Sequence, residues 1–156
     1  MSAFNELVSE AIDVLDADFV MPIDEIRLGT AFSELPKPDE VARKLISTLF
    51  QHHNYHVRRV AVQAWGRIAA SKVSGLREAL HKALEDPEGW VRYDAAGAIR
   101  KIGYRDEETL NLLSVVADGA IYPDDEEELK ADLSNSESRA RLEAAEAIYE
   151  LNKDTV

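Results

Sequence analysis

The chain repeats itself, and that repeat limits its fold more than any other feature. Residues 50–68, FQHHNYHVRRVAVQAWGRI, recur 34 positions later as residues 84–102, LEDPEGWVRYDAAGAIRKI. They recur again 49 positions after that, as residues 133–151, LSNSESRARLEAAEAIYEL. Val57, Val91 and Ala140 correspond, as do Arg58, Arg92 and Arg141. So do Ala61, Ala95 and Ala144, then Ala64, Ala98 and Ala147, then Ile68, Ile102 and Leu151. The longer second offset places an insertion of fifteen residues between the last two copies. Self-similarity at such a period is the mark of stacked supersecondary units, each burying its apolar face against the next.

Each copy has the period of a helix. Val57, Ala61, Ala64, Trp65 and Ile68 fall on one stripe, and Val91, Ala95, Ala98, Ile99 and Ile102 repeat it. Alanines in the stripe let a neighbouring helix come close, while the larger residues fill the space between layers. A second helix is expected after each of the first two copies, marked by Leu76, Leu80, Ala83 and Leu84 and by Leu110, Leu113 and Val116. Val41, Leu45, Ile46, Leu49 and Phe50 mark the partner helix of an earlier, degenerate repeat. Gly103 suits a left-handed helix stop, and Asp86 and Asn135 are placed to cap helix starts. The expected fold is all-α, an α-solenoid of helical hairpins in one domain.

The ends read as caps for that stack. Residues 1–37 hold a helix with Phe4, Leu7, Val8, Ala11, Ile12 and Leu15 on one side and Glu6, Glu10, Asp13 and Asp16 on the other. A second helix starts at Pro22 and runs to about Glu34, before Pro36 and Pro38 force a turn. Residues 38–118 form the repeat core, and residues 119–156 carry an acidic insertion and a C-terminal capping repeat.

Residues 86–103, DPEGWVRYDAAGAIRKIG, resemble the first helix of a HEAT repeat, in particular the bacterial HEAT-like kind related to phycobilisome-lyase repeats. The shared pattern is Asp-Pro, a short gap, Val-Arg, paired alanines and a final Ile-Gly, and the resemblance extends over residues 38–151. The first copy departs from it with His52 and His53 in place of Asp-Pro, and the last with Asn135 and Ser136. The resemblance implies second helices that line a concave surface. It also implies a structural ladder of aspartate and arginine between repeats, for which Asp86 and Arg92 match, with Arg58 and Arg141 equivalent. Such a family binds far more often than it catalyses, and a fold alone names no partner.

Composition excludes several classes. Thirty acidic residues against eighteen Lys and Arg give a net charge of −12, which opposes general affinity for nucleic-acid phosphates and favours basic partners. Without cysteine there is no disulfide, no thiolate zinc site and no thiol nucleophile. No stretch approaches the length of a membrane span, and the acidic, amphipathic start is unlike a signal peptide. A cytoplasmic protein without a membrane partner is expected.

Candidate chemistry is sparse. His52, His53 and His56 form the densest histidine cluster, but they straddle a turn and have no carboxylate within the motif. The iron-binding HEAT-like hydroxylases use His-Glu pairs on helices, and no His-Glu dipeptide occurs in this sequence. Asp124, Asp125, Glu126, Glu127 and Glu128 lack calcium-loop spacing and read as an acidic helix start. Nothing resembles an activated nucleophile, a P-loop or a dinucleotide fingerprint. No catalytic residue, metal or cofactor is expected, and His81 is read as solvent-facing.

Charge and repeat position suggest two binding surfaces. Residues 41–101 carry +6, between −8 for residues 1–40 and −10 for residues 102–156. Arg43 corresponds to Arg77 and Thr48 to Lys82, and with Lys44 they form a basic strip expected on the concave side. On the first helices, His56 corresponds to Trp90 and Arg59 to Tyr93, a patch of residue types that dominate protein interfaces. The expected function is non-enzymatic binding of another protein, as an adaptor, an inhibitory partner such as an immunity protein, or an assembly factor. Two alternatives rest on resemblance: a nucleic-acid-processing solenoid similar to alkylpurine DNA glycosylases, and a bilin-lyase or chaperone-type subunit.

Overall fold

A computed structural model describes residues 2–69, 71–118 and 136–153. Among them are eight α-helices and one short 3-10 turn, with no strand, as the repeat pattern predicts. In chain order these are α1 (Ala3–Leu15), α2 (Pro22–Ser33), α3 (Pro38–Ile46), the 3-10 turn Leu49–Gln51, α4 (Tyr55–Ile68), α5 (Leu76–Leu84), α6 (Gly89–Ile102), α7 (Glu107–Ala117) and α8 (Ser136–Lys153). The helices follow the paired order of an α-solenoid. The acidic run at 124–128 and Asn135 lie outside the described residues. Internal contacts divide the chain into two compact units, Met1–Ala79 and Leu80–Val156, with the boundary inside α5.

In the first unit, α4 packs on both α2 and α3, and α1 packs on α2 and α4. Val57, Val60, Ala61, Val62, Ala64 and Trp65 of α4 are all buried. The Trp65 indole N–H donates to the Ala42 carbonyl at 2.9 Å, and its ring meets Phe50 edge-on at 5.0 Å. Burial of side chains this size stabilises by about 1.5–3 kcal/mol each. Moving α2 forward by 34 positions lands it within α4, which makes α2 the first helix of the degenerate repeat rather than only a cap. Gly29 falls opposite its own repeat equivalent, Gln63, where an added Cβ would lie 3.3 Å from the Gln63 Cβ.

The apolar pattern at Val41–Phe50 predicts one continuous helix, but α3 stops at Ile46. Local side-chain bonding explains the difference. The Ser47 and Thr48 hydroxyls both donate to the Lys44 carbonyl, at 3.3 and 2.8 Å, and the Gln51 amide donates to the Ile46 carbonyl at 2.9 Å. These bonds take carbonyls that a continuing helix would use. Leu49 and Phe50 still reach the core, from the 3-10 turn.

In the second unit, α8 packs on both α6 and α7, as α4 packs on α2 and α3. Val91, Ala95, Ala98 and Ile99 of α6 are buried, together with Ala140, Ala144, Ala147 and Leu151 of α8. The repeat period also governs where helices begin and end. Side chains of Asn54 and Glu88, 34 residues apart, cap α4 and α6 by accepting the N–H of His56 and of Trp90. Ala69 and Gly103, again 34 apart, close the same two helices in the left-handed conformation, at φ 53° and 92°. Asp86 therefore sits two residues before the cap, and its carboxylate accepts the Glu88 N–H at 2.9 Å.

Candidate functional site

The three repeat-equivalent arginines turn inward to backbone. Arg58 donates to the carbonyls of His52 and His53 at 3.1 and 2.9 Å. Arg92 donates to the Asp86 carbonyl at 2.7 Å, the same repeat position as His52. It also pairs with Glu137 of α8. Arg141 reaches the carbonyls of Ala117 and Asp118 at 3.4 and 3.5 Å. In each case a guanidinium satisfies carbonyls of the chain that precedes its helix, which suits a group with several fixed donors. The bond from Arg92 to Asp86 ends on the backbone carbonyl of that aspartate.

The patch of His56, Arg59, Trp90 and Tyr93 takes two forms. In the first unit, Glu25 of α2 is 2% exposed and receives Arg59 at 3.2 Å and His56 Nδ1 at 3.4 Å. Both side chains are drawn toward a buried carboxylate, which leaves them little surface to offer a partner. In the second unit, Trp90 and Tyr93 pack edge-on at 5.7 Å. Arg139 of α8 lies 5.3 Å over the Tyr93 ring and donates to its hydroxyl at 3.2 Å. Glu25 with His56 and Tyr93 with Arg139 are the same pair of repeat positions, filled once by charge and once by an aromatic. Trp90 and Tyr93 remain half-buried, so this cluster presents part of its surface.

Of the four basic residues, Arg43 and Lys44 of the first unit and Lys82 of the second are exposed, and Arg77 of the first is half-buried. Lys44 holds Glu40 at 3.2 Å and lies 5.4 Å over the Phe4 ring, on the wall of a pocket shared with Leu35 and Lys37. The nearby ammonium lowers the Glu40 pKa below its ordinary value. Arg77 lies 3.6 Å from Glu78. His81, solvent-facing by the sequence reading, is instead buried. Its Nε2 is 2.7 Å from the Thr109 hydroxyl, and its Nδ1 is 3.6 Å from Glu108. The Thr109 hydroxyl donates to Asp106 at 2.7 Å, so it must accept from the imidazole N–H. The short, well-formed α5 carries both Lys82 outward and His81 inward, a distinction that residue type alone does not reveal.

Sequence-distant Asp16 supplies the carboxylate that the histidine motif lacks: it groups with His52 and His53, with ligand atoms within 4.8 Å of one another. Asn54 secures this corner by donating to Asp16 at 3.1 Å and to the Leu15 carbonyl at 3.3 Å. Two features oppose metal ligation in this arrangement. The imidazoles stack at 4.3 Å, so their lone pairs run alongside each other rather than converge. His52 Nδ1 also accepts the Asn54 N–H at 3.1 Å, which leaves the proton on Nε2. Burial and the adjacent His53 lower the His52 pKa. The geometry is that of a hydrogen-bonded turn.

Three features have no counterpart in the sequence pattern. Glu25 is a buried charge inside an acidic segment. Glu143 of α8 takes Arg100 at 2.8 Å, and burial raises its pKa. Phe19, Met21, Ile23 and Ile26 are large apolar side chains left at the surface. Among the described residues no helix is long and apolar enough to cross a membrane.

A protein-family model for HEAT repeats matches residues 42–148, more than half of the chain. No curated protein matches it, and no solved structure does. The alanine-lined first helices, the inward arginines and the 34-residue register of caps and stops agree with that match, and the chain belongs to the HEAT-repeat family.

Proposed function

We propose that the chain is a non-enzymatic protein-interaction module, an adaptor or a small inhibitory or assembly partner. The observation that carries this reading is the HEAT-repeat match over residues 42–148, because these repeats generally serve as protein-interaction scaffolds. The Asp-Pro and Val-Arg pattern at 86–103 supports placing it in the bacterial, lyase-related subgroup. Arg43, Lys44, Arg77 and Lys82 are the proposed contacts for carboxylates on the partner, with Trp90 and Tyr93 as an aromatic alternative. His56 and Arg59 are less suited, since Glu25 engages both.

Affinity capture from the native cell tests this, with the wild type compared against Arg43→Glu/Arg77→Glu and against Trp90→Ala. Recovery of one protein by the wild type but not by the double variant, at an unchanged helical melt, supports the basic contacts. Retention in the double variant with loss in Trp90→Ala moves the site to the aromatic cluster. Failure to recover any protein, together with intrinsic turnover or salt-sensitive binding of duplex DNA, overturns the reading.

A further inference from the structure

We propose that the N-terminal edge of the first unit docks a basic amphipathic segment of another protein. This rests on the protein-interaction reading but uses a separate surface, opposite in charge to Arg43 and Arg77. Phe19, Met21, Ile23 and Ile26 are 79%, 51%, 60% and 44% exposed, and they are four of the six large exposed hydrophobics among the described residues. Single exposed apolar residues are ordinary, but four within eight consecutive positions mark a contact surface. Ile23 and Ile26 lie three apart on α2 and share one face. The opposite face of the same helix is already used, with Leu28, Gly29 and Phe32 buried. Helix α2 therefore carries Ile23 and Ile26, beside Arg27, on the side opposite the one it buries.

Charge selects the occupant. Asp16, Asp18 and Asp24 flank the apolar residues, and Arg27 is the single basic residue in the first 36. Arg27 is itself drawn to acids, 3.8 Å from Glu10 and 4.0 Å from Asp24. The rim therefore stays negative. A second copy would set one acidic rim against another in a chain of net charge −12, and like-charge juxtaposition suppresses such pairing. The acidic residues 119–135 of this chain and an anionic lipid surface meet the same repulsion. A segment with an apolar stripe flanked by lysine or arginine satisfies both features, burying its stripe on Ile23 and Ile26 and pairing its cations with the aspartates.

A dye-labelled synthetic helix with leucine on one face and lysine on its flanks is the probe, with a glutamate-flanked counterpart as control. Fluorescence anisotropy with the full chain is expected to show saturable one-to-one binding of the lysine peptide alone. Ile23→Ser/Ile26→Ser should weaken it about tenfold or more, because the leucine stripe then has little apolar area to bury against. Asp18→Asn/Asp24→Asn should weaken it and flatten its salt dependence, and Arg43→Glu/Arg77→Glu should leave it unchanged. Circular dichroism melts confirm that each variant is folded. Undiminished affinity in the isoleucine variant, equal binding of the glutamate peptide or failure to saturate would overturn the proposal. A chain that captures its cellular partner through Arg43 and Arg77 yet ignores the lysine peptide refutes this surface alone and leaves the module reading intact.

Discussion

Gly89 faces Ser136 so closely that a methyl group added to it would lie 2.7 Å from the Ser136 Oγ and 2.9 Å from the Ser136 carbonyl carbon. The second of these is backbone, so α8 would have to move. Gly89→Ala should destabilise the chain by about 1–3 kcal/mol, the usual cost of overpacking. Gly97, in the middle of α6, is the control: its nearest obstacle is the Glu143 carboxylate at 3.4 Å. Gly97→Ala should be neutral or should stabilise by up to about 1 kcal/mol, through helix propensity. Urea unfolding of the two variants measures the contrast.

Arg92 and Arg58 occupy equivalent positions but differ in burial. Arg92→Ala takes away a buried donor that serves both the Asp86 carbonyl and the Glu137 carboxylate, and should cost about 3 kcal/mol. Arg58→Ala removes bonds to two backbone carbonyls nearer to water and should cost about 1 kcal/mol. Arg92→Lys should recover little, since one ammonium is a poor substitute for a fork that serves two partners. The same unfolding assay ranks all three.

Burial raises the Glu143 pKa, with Arg100 acting in the opposite direction. The folded state then binds its proton more tightly than the unfolded state does. This residue's contribution to stability therefore falls as pH rises from the ordinary carboxylate value of 4.5 through the raised folded value. Glu143→Gln keeps an acceptor for Arg100 and removes the titration. The variant should be as stable as the wild type or more so at neutral pH, and the difference should shrink as pH falls through that window. Thermal melts across the range read it directly.

The buried His81–Thr109 bond joins the end of α5 to the start of α7. His81→Ala and Thr109→Val should each cost about 1–3 kcal/mol, from an orphaned partner and, for His81, poorer packing. Their double-mutant cycle should show a coupling of about 1 kcal/mol. A coupling near zero would mean that the two side chains do not act as a pair.

Ala69 holds a backbone conformation, φ 53°, that its repeat equivalent fills with glycine. Ala69→Gly should raise stability by up to about 1 kcal/mol, because a residue without Cβ adopts that region without strain. The midpoint of chemical unfolding is the check.

The helices most legible in the sequence are those whose burial is one-sided and periodic. Ala61, Ala95 and Ala144 announce a close helix neighbour because no other role suits alanine so regularly in register. Glu25 carries no such signal: a glutamate after Pro22 looks like a solvated helix start, and only α4 folding across it makes it a buried counter-ion. His81 escapes a sequence reading for the same reason, since its partner Thr109 stands 28 residues away. Asp16 joins His52 and His53 across a similar gap. Local hydrogen bonding, rather than long-range packing, ends α3 early, and the hydroxyls of Ser47 and Thr48 are the available clue. Pairings between distant segments are tertiary facts, and a single sequence states them only where a repeat supplies the register.

Asp118 at the end of α7 and Ser136 at the start of α8 are both moored. Arg141 holds the carbonyl at 118, and Ser136 is seated against Gly89. This is the position where the interval between copies already departs from 34 residues. With both helix ends anchored by contacts of their own, the pairing of α7 with α8 keeps its place although the sequence between them is fifteen residues longer than the repeat requires.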